Sequence, residues 1–166
     1  MTPSTNRLIV TTPSDTEIAM TREFNAPKEL VFEAYTTPEL LKRWLGVMHG
    51  WVWAVCEVDL RVGGAYRYVW RGPDGVEMGM GGTFTEVTPP SLLRATERFD
   101  EAWYPGGDAY QTLTLTEKNG RTTLVLTVRY ASKEARDVAL QGMEDGVATG
   151  FDNLANVLAE MLGARR

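Results

Sequence analysis

Apolar and polar positions begin to alternate at Glu17, where Ile18, Met20 and Phe24 set against Ala19, Thr21 and Glu23 predict a first strand ending at Asn25. The period then lengthens. Asn25 as a cap, Pro27 in a first turn, and Leu30, Val31, Ala34 and Tyr35 at helical spacing predict a short helix. Thr37-Pro38 restarts a second one carrying Leu40, Leu41, Trp44 and Leu45, and Gly46 stops it. From Val52 to Tyr130 the period falls to two. Turn residues interrupt it at Gly63-Gly64, Gly72-Pro73-Asp74-Gly75, Pro89-Pro90, Pro105-Gly106-Gly107-Asp108 and Asn119-Gly120, so six strands joined by hairpins are expected. Asn119-Gly120 is the sharpest signal, because a two-residue type I′ turn needs positive φ at both positions. After Tyr130, Ser132 can cap a long C-terminal helix with Val138, Met143, Val147, Phe151, Leu154, Leu158 and Met161 along one face.

The pattern is therefore α+β. A seven-stranded antiparallel sheet must twist and curl, and the long amphipathic helix is the element large enough to cover its concave side. Residues 1–14, polar and carrying Pro3 and Pro13, are expected as a flexible N-terminal arm, although Leu8-Ile9-Val10 can form a short extra strand. Residues 15–163 are expected as one domain and 164–166 as a tail. Gly142, Gly146 and Gly150 recur every four residues in the helix, each costing about 1 kcal/mol relative to alanine. Either close packing or open volume for a ligand beneath the helix would account for them.

Composition narrows the class. The 166 residues, 43% hydrophobic and 23% charged, are globular rather than disordered, and a chain this long buries roughly 70% of its unfolded surface without needing a disulfide or metal. Cys56 is the one cysteine, no basic-then-apolar leader opens the sequence, and the longest apolar run is Trp51 to Cys56. A soluble cytoplasmic protein without membrane insertion is expected. Seventeen basic against 22 acidic residues give a formal charge of -5, with the basic ones scattered, so a phosphate-backbone footprint is missing and nucleic acid is not an expected partner.

Specific motifs then carry a resemblance. Arg22-Glu23-Phe24-Asn25-Ala26-Pro27-Lys28-Glu29-Leu30-Val31-Phe32, followed by Thr37-Pro38-Glu39 and Arg43-Trp44, resembles the opening of the bacterial family homologous to the activator of the 90 kDa heat-shock-protein ATPase. The likeness continues through Cys56 to Gly64, Arg71 to Gly75, Thr83 to Pro90 and the stretch from Gly142 to Leu158, spanning nearly everything from Glu17 to Leu162. That family lies in the START-like (SRPBCC, Bet v-like) superfamily. The resemblance implies a helix-grip fold with a deep, largely apolar cavity between sheet and C-terminal helix, of the sort used for lipids, hormones or polyketides.

The residues themselves suggest what would line such a cavity. If Val58 and Leu60 point inward, the next strand presents Tyr66, Tyr68 and Trp70 to the same side as an aromatic wall. Met78, Met80 and Phe84 continue it from the following strand, a soft surface able to conform to varied guests. Trp44 from the second short helix, Leu113 from a later strand, and Met143, Val147 and Phe151 from the long helix complete the apolar candidates. Such residues also serve as ordinary core filling. Glu97 is the polar candidate: along Leu93, Ala95, Glu97 and Phe99 the inward face is otherwise apolar, so its carboxyl would be desolvated unless Arg67, Arg94 or Gln111 partners it. A one-residue slip would instead bring Arg94, Thr96 and Arg98 inside.

Other chemistry finds little support. His49 and Cys56 have no second member of either type, which excludes zinc in practice, and no serine sits in a nucleophile-elbow setting. Gly79-Met80-Gly81-Gly82 lacks the Lys-Ser/Thr ending of a phosphate loop and reads as a bulge or close backbone approach. No cofactor is expected. The leading expectation is a binder of a small hydrophobic molecule. An acid–base cyclase or aromatase using Glu97, Tyr66, Tyr68 and Arg94 is the enzymatic alternative. A co-chaperone-like regulator of a heat-shock ATPase is the third, with Glu97, Asp100, Glu101, Trp103 and Tyr104 as a contact loop; a homodimer is compatible with any of these.

Overall fold

The computed structural model describes residues 7–100, 107–141 and 143–165. Pro105-Gly106, Gly142 and the contact-loop residues Glu101, Trp103 and Tyr104 lie outside them. Eight strands form one antiparallel sheet: β1 (Ile9–Thr11), β2 (Glu17–Phe24), β3 (Val52–Val58), β4 (Ala65–Arg71), β5 (Glu77–Thr88), β6 (Leu92–Phe99), β7 (Ala109–Lys118) and β8 (Arg121–Arg129). Their order is β1-β2-β8-β7-β6-β5-β4-β3. Between β2 and β3 run α1 (Lys28–Thr36) and α2 (Pro38–Trp44), and after β8 come α3 (Lys133–Leu140) and α4 (Met143–Ala164). This is the expected helix-grip arrangement.

Local chemistry explains most boundaries. Asn119 and Gly120 take φ of 55° and 76°, which closes β7 on β8 with Lys118 opposite Arg121. β5 is the long strand that turns the sheet. A Cβ at Gly81 would stand 2.7 Å from the Tyr66 carbonyl oxygen, and one at Gly82 would overlap the Thr96 carbonyl. The glycine stretch is therefore a place of close backbone approach within a regularly paired strand, and the bulge, a register shift between Phe84 and Glu86, follows it.

The short extra strand allowed for near Leu8-Ile9-Val10 forms as Ile9–Thr11 paired with β2, which brings the sheet to eight strands. Three expectations are corrected. The C-terminal helix is two helices, because Gln141 caps α3 with extended backbone at ψ 120° and redirects the chain before Met143. Asn25 does not cap α1: Pro27 occupies that position, Glu117 Oε1 accepts from Lys28 N at 2.8 Å, and Asn25 accepts from Arg121. Leu60 does not point inward. β3 ends at Val58, a turn held by Asp59 N–H to Ala65 O (2.9 Å) and Gly64 N–H to Arg61 O (2.8 Å) follows, and Leu60 is left exposed.

α4 is pinned along its middle. Phe151 stands edge-on to Phe24 of β2, with ring centroids 5.9 Å apart, and 6.2 Å from Trp44 of α2. Trp44 in turn donates from Nε1 to Ala34 O at 2.9 Å, locking α2 to α1. Arg22, buried on β2, reaches Asp152 of α4 at 2.9 Å while its guanidinium lies 5.2 Å over the Phe24 ring. With Leu154 and Leu158 these contacts belong to the main core, which also includes Tyr66, Phe84, Leu93 and Leu113 on the inner face of the sheet.

Candidate functional site

Between the inner face of the sheet, α1 and α2, and the first turns of α4 lies a cavity of about 940 Å³. One wall is aromatic. The ring centroids of Tyr66 and Tyr68 are 5.1 Å apart, Tyr66 and Phe84 5.5 Å, and Tyr68 and Trp70 6.1 Å. Alternation puts these rings on one face, since Tyr66, Tyr68 and Trp70 are every second residue of β4. Trp53 supports Trp70 from β3 at 4.7 Å. Met78 and Met80 of β5 extend the wall, and Trp44, Val147 and Phe151 face it. At the mouth stand Val47, Met48 and Val138, which line the cavity and are more than 40% exposed.

Two glycines of α4 bear on the earlier alternatives, and both favour open volume. Gly150 is buried where α4 meets α2 and also lines the cavity, and a Cβ there would stand 3.6 Å from the Trp44 carbonyl oxygen, an ordinary packing contact. Gly146 lines the cavity, and a Cβ there would meet nothing within 4 Å. Gly46, at φ 64°, serves the mouth: the Trp70 indole Nε1 would lie 2.5 Å from its Cβ, so only glycine lets the loop cross that ring.

The polar groups inside are few. Glu97 of β6 is 7% exposed, and Gln111 Nε2 of β7 donates to its carboxylate. The register is the inward one, with Leu93 and Ala95 buried and Arg94 and Arg98 in solvent. Burial pushes the Glu97 carboxyl above the ordinary glutamate value, and the Gln111 hydrogen bond opposes that only in part. Burial also raises the phenols of Tyr35 and Tyr68; the Glu97 charge adds to the effect on Tyr35, and Tyr35 to that on Tyr68. Tyr66 is committed elsewhere, donating to Thr96 O at 2.7 Å, and the Trp70 indole N–H is buried without a partner.

Every residue expected from the sequence to line such a cavity does so except Leu60. Of the groups considered for acid–base work, Arg94 is removed: it is exposed and stands 3.6 Å from Glu86. Arg67 pairs with Asp100 rather than Glu97. Sequence reasoning missed Tyr35, taken only as a helix-face residue, and the β8 positions Leu126 and Val128, whose strict alternation was signal enough. Cys56 sits 3.9 Å from Pro38 O with its thiol raised to about 11 by burial, so it is no nucleophile. His49 is exposed in its loop. Among the described residues no cluster of three metal-ligating side chains forms, and no helix is long and apolar enough to cross a membrane.

Comparison with known proteins bears on the whole chain. A family profile described as "Activator of Hsp90 ATPase homolog 1-like protein" matches residues 25–159. A crystal structure of a Rhodobacter sphaeroides protein is 34% identical, with a TM-score of 0.85 over 93% of this chain and 99% of that one. A Mycobacterium smegmatis protein is 28% identical, with a TM-score of 0.77 over 91% and 96%. The crystal structure of an Hsp90 activator from Plasmodium falciparum shares the fold at 24% identity and a TM-score of 0.63, over 87% and 96%. No curated protein matches the chain.

Proposed function

The chain belongs to the family of Activator of Hsp90 ATPase homolog 1-like proteins, and from that membership and its hollow interior we propose that it binds a small, largely apolar molecule between the sheet and α4. The observation that carries the reading is the 940 Å³ cavity walled by Tyr66, Tyr68, Trp70 and Phe84 and roofed by α4. Space of that size falls within the range that drug-sized ligands occupy, and predominantly apolar walls with a few convergent polar groups are how such sites are built. Aromatic and methionine side chains supply contact area without fixing a single guest shape.

The test is displacement of a neutral environment-sensitive dye, N-phenyl-1-naphthylamine, whose fluorescence rises on entering an apolar site. Saturable enhancement, reversed by apolar competitors, is expected. Its absence for wild type, with competitors spanning lipid-like and polycyclic aromatic bodies, overturns the reading.

Contact with a 90 kDa heat-shock ATPase is the second reading, favoured by the description of the family to which the chain belongs. It predicts a changed hydrolysis rate when the host's own ATPase is saturated with this protein, and a flat rate dismisses it.

A further inference from the structure

The cavity holds an acid and, among the described residues that line it, no base. The charged lining residues are Glu97, deep on β6, and Asp145, exposed in the first turn of α4; no lysine, arginine or histidine lines it. An anionic head drawn into this space would lose its hydration and meet neither a counter-charge nor a guanidinium fork. Of the arginines on the flanking strands, Arg67, Arg94 and Arg98 pair at the outer face with Asp100, Glu86 and Asp108, and the one buried on the inner face, Arg22, does not line the cavity and is held by Asp152 and the Phe24 ring. The start of α4 faces the mouth, where free N–H groups could favour an anion, but Glu144 and Asp145 in its first turn already meet that partial positive charge.

Resting on the binding function proposed above, we infer that the cavity selects guests whose polar end is uncharged, such as an amide, ester, ketone or hydroxyl, and rejects carboxylates and phosphates. The buried Glu97–Gln111 pair offers both donor and acceptor capacity in a cavity that Tyr35 and Tyr68 also line. Burial keeps Glu97 protonated to higher pH than a solvated glutamate, which suits it to donate to a carbonyl oxygen. A neutral oxygen or amide head hydrogen-bonds there without bringing an uncompensated charge into the cavity.

Competition against bound N-phenyl-1-naphthylamine on the full chain separates the cases. The competitors share one dodecyl body and carry a primary amide, a hydroxyl, a carboxylate, a phosphate or an ammonium head, each used below its micelle concentration at pH 8. The amide and alcohol are expected to displace the dye at concentrations at least ten-fold below the carboxylate and phosphate. Lowering the pH to 5 should bring dodecanoic acid toward the alcohol as its carboxyl gains a proton, with the alcohol itself unchanged. A carboxylate or phosphate as tight as the amide at pH 8 overturns the inference, as does an ammonium tighter than both neutral heads. If the dye itself fails to bind, the underlying binding function has failed instead.

Discussion

Replacing Glu97 by glutamine keeps the shape of the side chain and removes its ionisation. In the wild type the carboxyl is 7% exposed, desolvation raises it above the usual glutamate value, and Gln111 restores part of the loss. The folded state therefore holds this proton at pH values where the unfolded chain has released it. Stability contributed by this group is largest at low pH and falls as pH rises from the ordinary glutamate value of about 4.3 to the raised folded one. The slope is at most about 1.4 kcal/mol per pH unit, one proton's worth, and it levels off once both states are ionised. Glutamine offers Gln111 a carbonyl acceptor in place of the carboxylate. Glu97→Gln should therefore match wild type near pH 4.5 and exceed it increasingly above. Urea denaturation of both proteins at half-unit steps from pH 4.5 to 8.5 measures the difference directly, since every other titrating group cancels. Parallel stability curves would refute the claim that Glu97 is buried without a compensating charge.

Other perturbations follow from the same geometry. Gly120→Ala should cost about 1 kcal/mol, a fall of roughly 2–4 °C in Tm for a chain of this size, because φ is 76° but nothing lies within 4 Å of the added carbon. Gly81→Ala should cost clearly more by the same thermal melt, since its new carbon stands 2.7 Å from the Tyr66 carbonyl and backbone cannot step aside. Ser132→Ala removes the hydroxyl that accepts from Ala135 N at 3.1 Å and should cost about 1 kcal/mol in urea denaturation. Cys56 should react slowly with Ellman's reagent at neutral pH in the folded protein, the rate climbing about ten-fold per pH unit toward 11.

Much of this architecture was legible because the relevant forces are local. The Asn119-Gly120 hairpin follows from which residues tolerate positive φ, and the inward face of β6 follows from alternation through Leu93, Ala95 and Glu97. What escaped is long-range. The spacing that joins Val138 to Met143 is helical, yet the chain breaks at Gln141, where extended backbone ends α3. Leu60 continues the period of β3 in sequence although turn hydrogen bonds end the strand two residues earlier. Glu117 serves the start of α1 from a strand 89 residues away, a partner no local window contains. Alternation puts Arg22 on the inward face with Met20 and Phe24, but only Asp152 on the covering helix together with the Phe24 ring explains how its charge is accommodated. The aromatic wall was readable from β4, whereas Tyr35 joined it through the packing of α1 against the sheet.

Native mass spectrometry of the protein purified from its own host under gentle conditions asks whether the hollow beneath α4 is occupied in the cell. A second species heavier by one small-molecule mass, lost on collisional activation and absent after denaturation, is the predicted result. A spectrum showing the bare chain alone, from a preparation that also leaves N-phenyl-1-naphthylamine fluorescence unchanged, would contradict it.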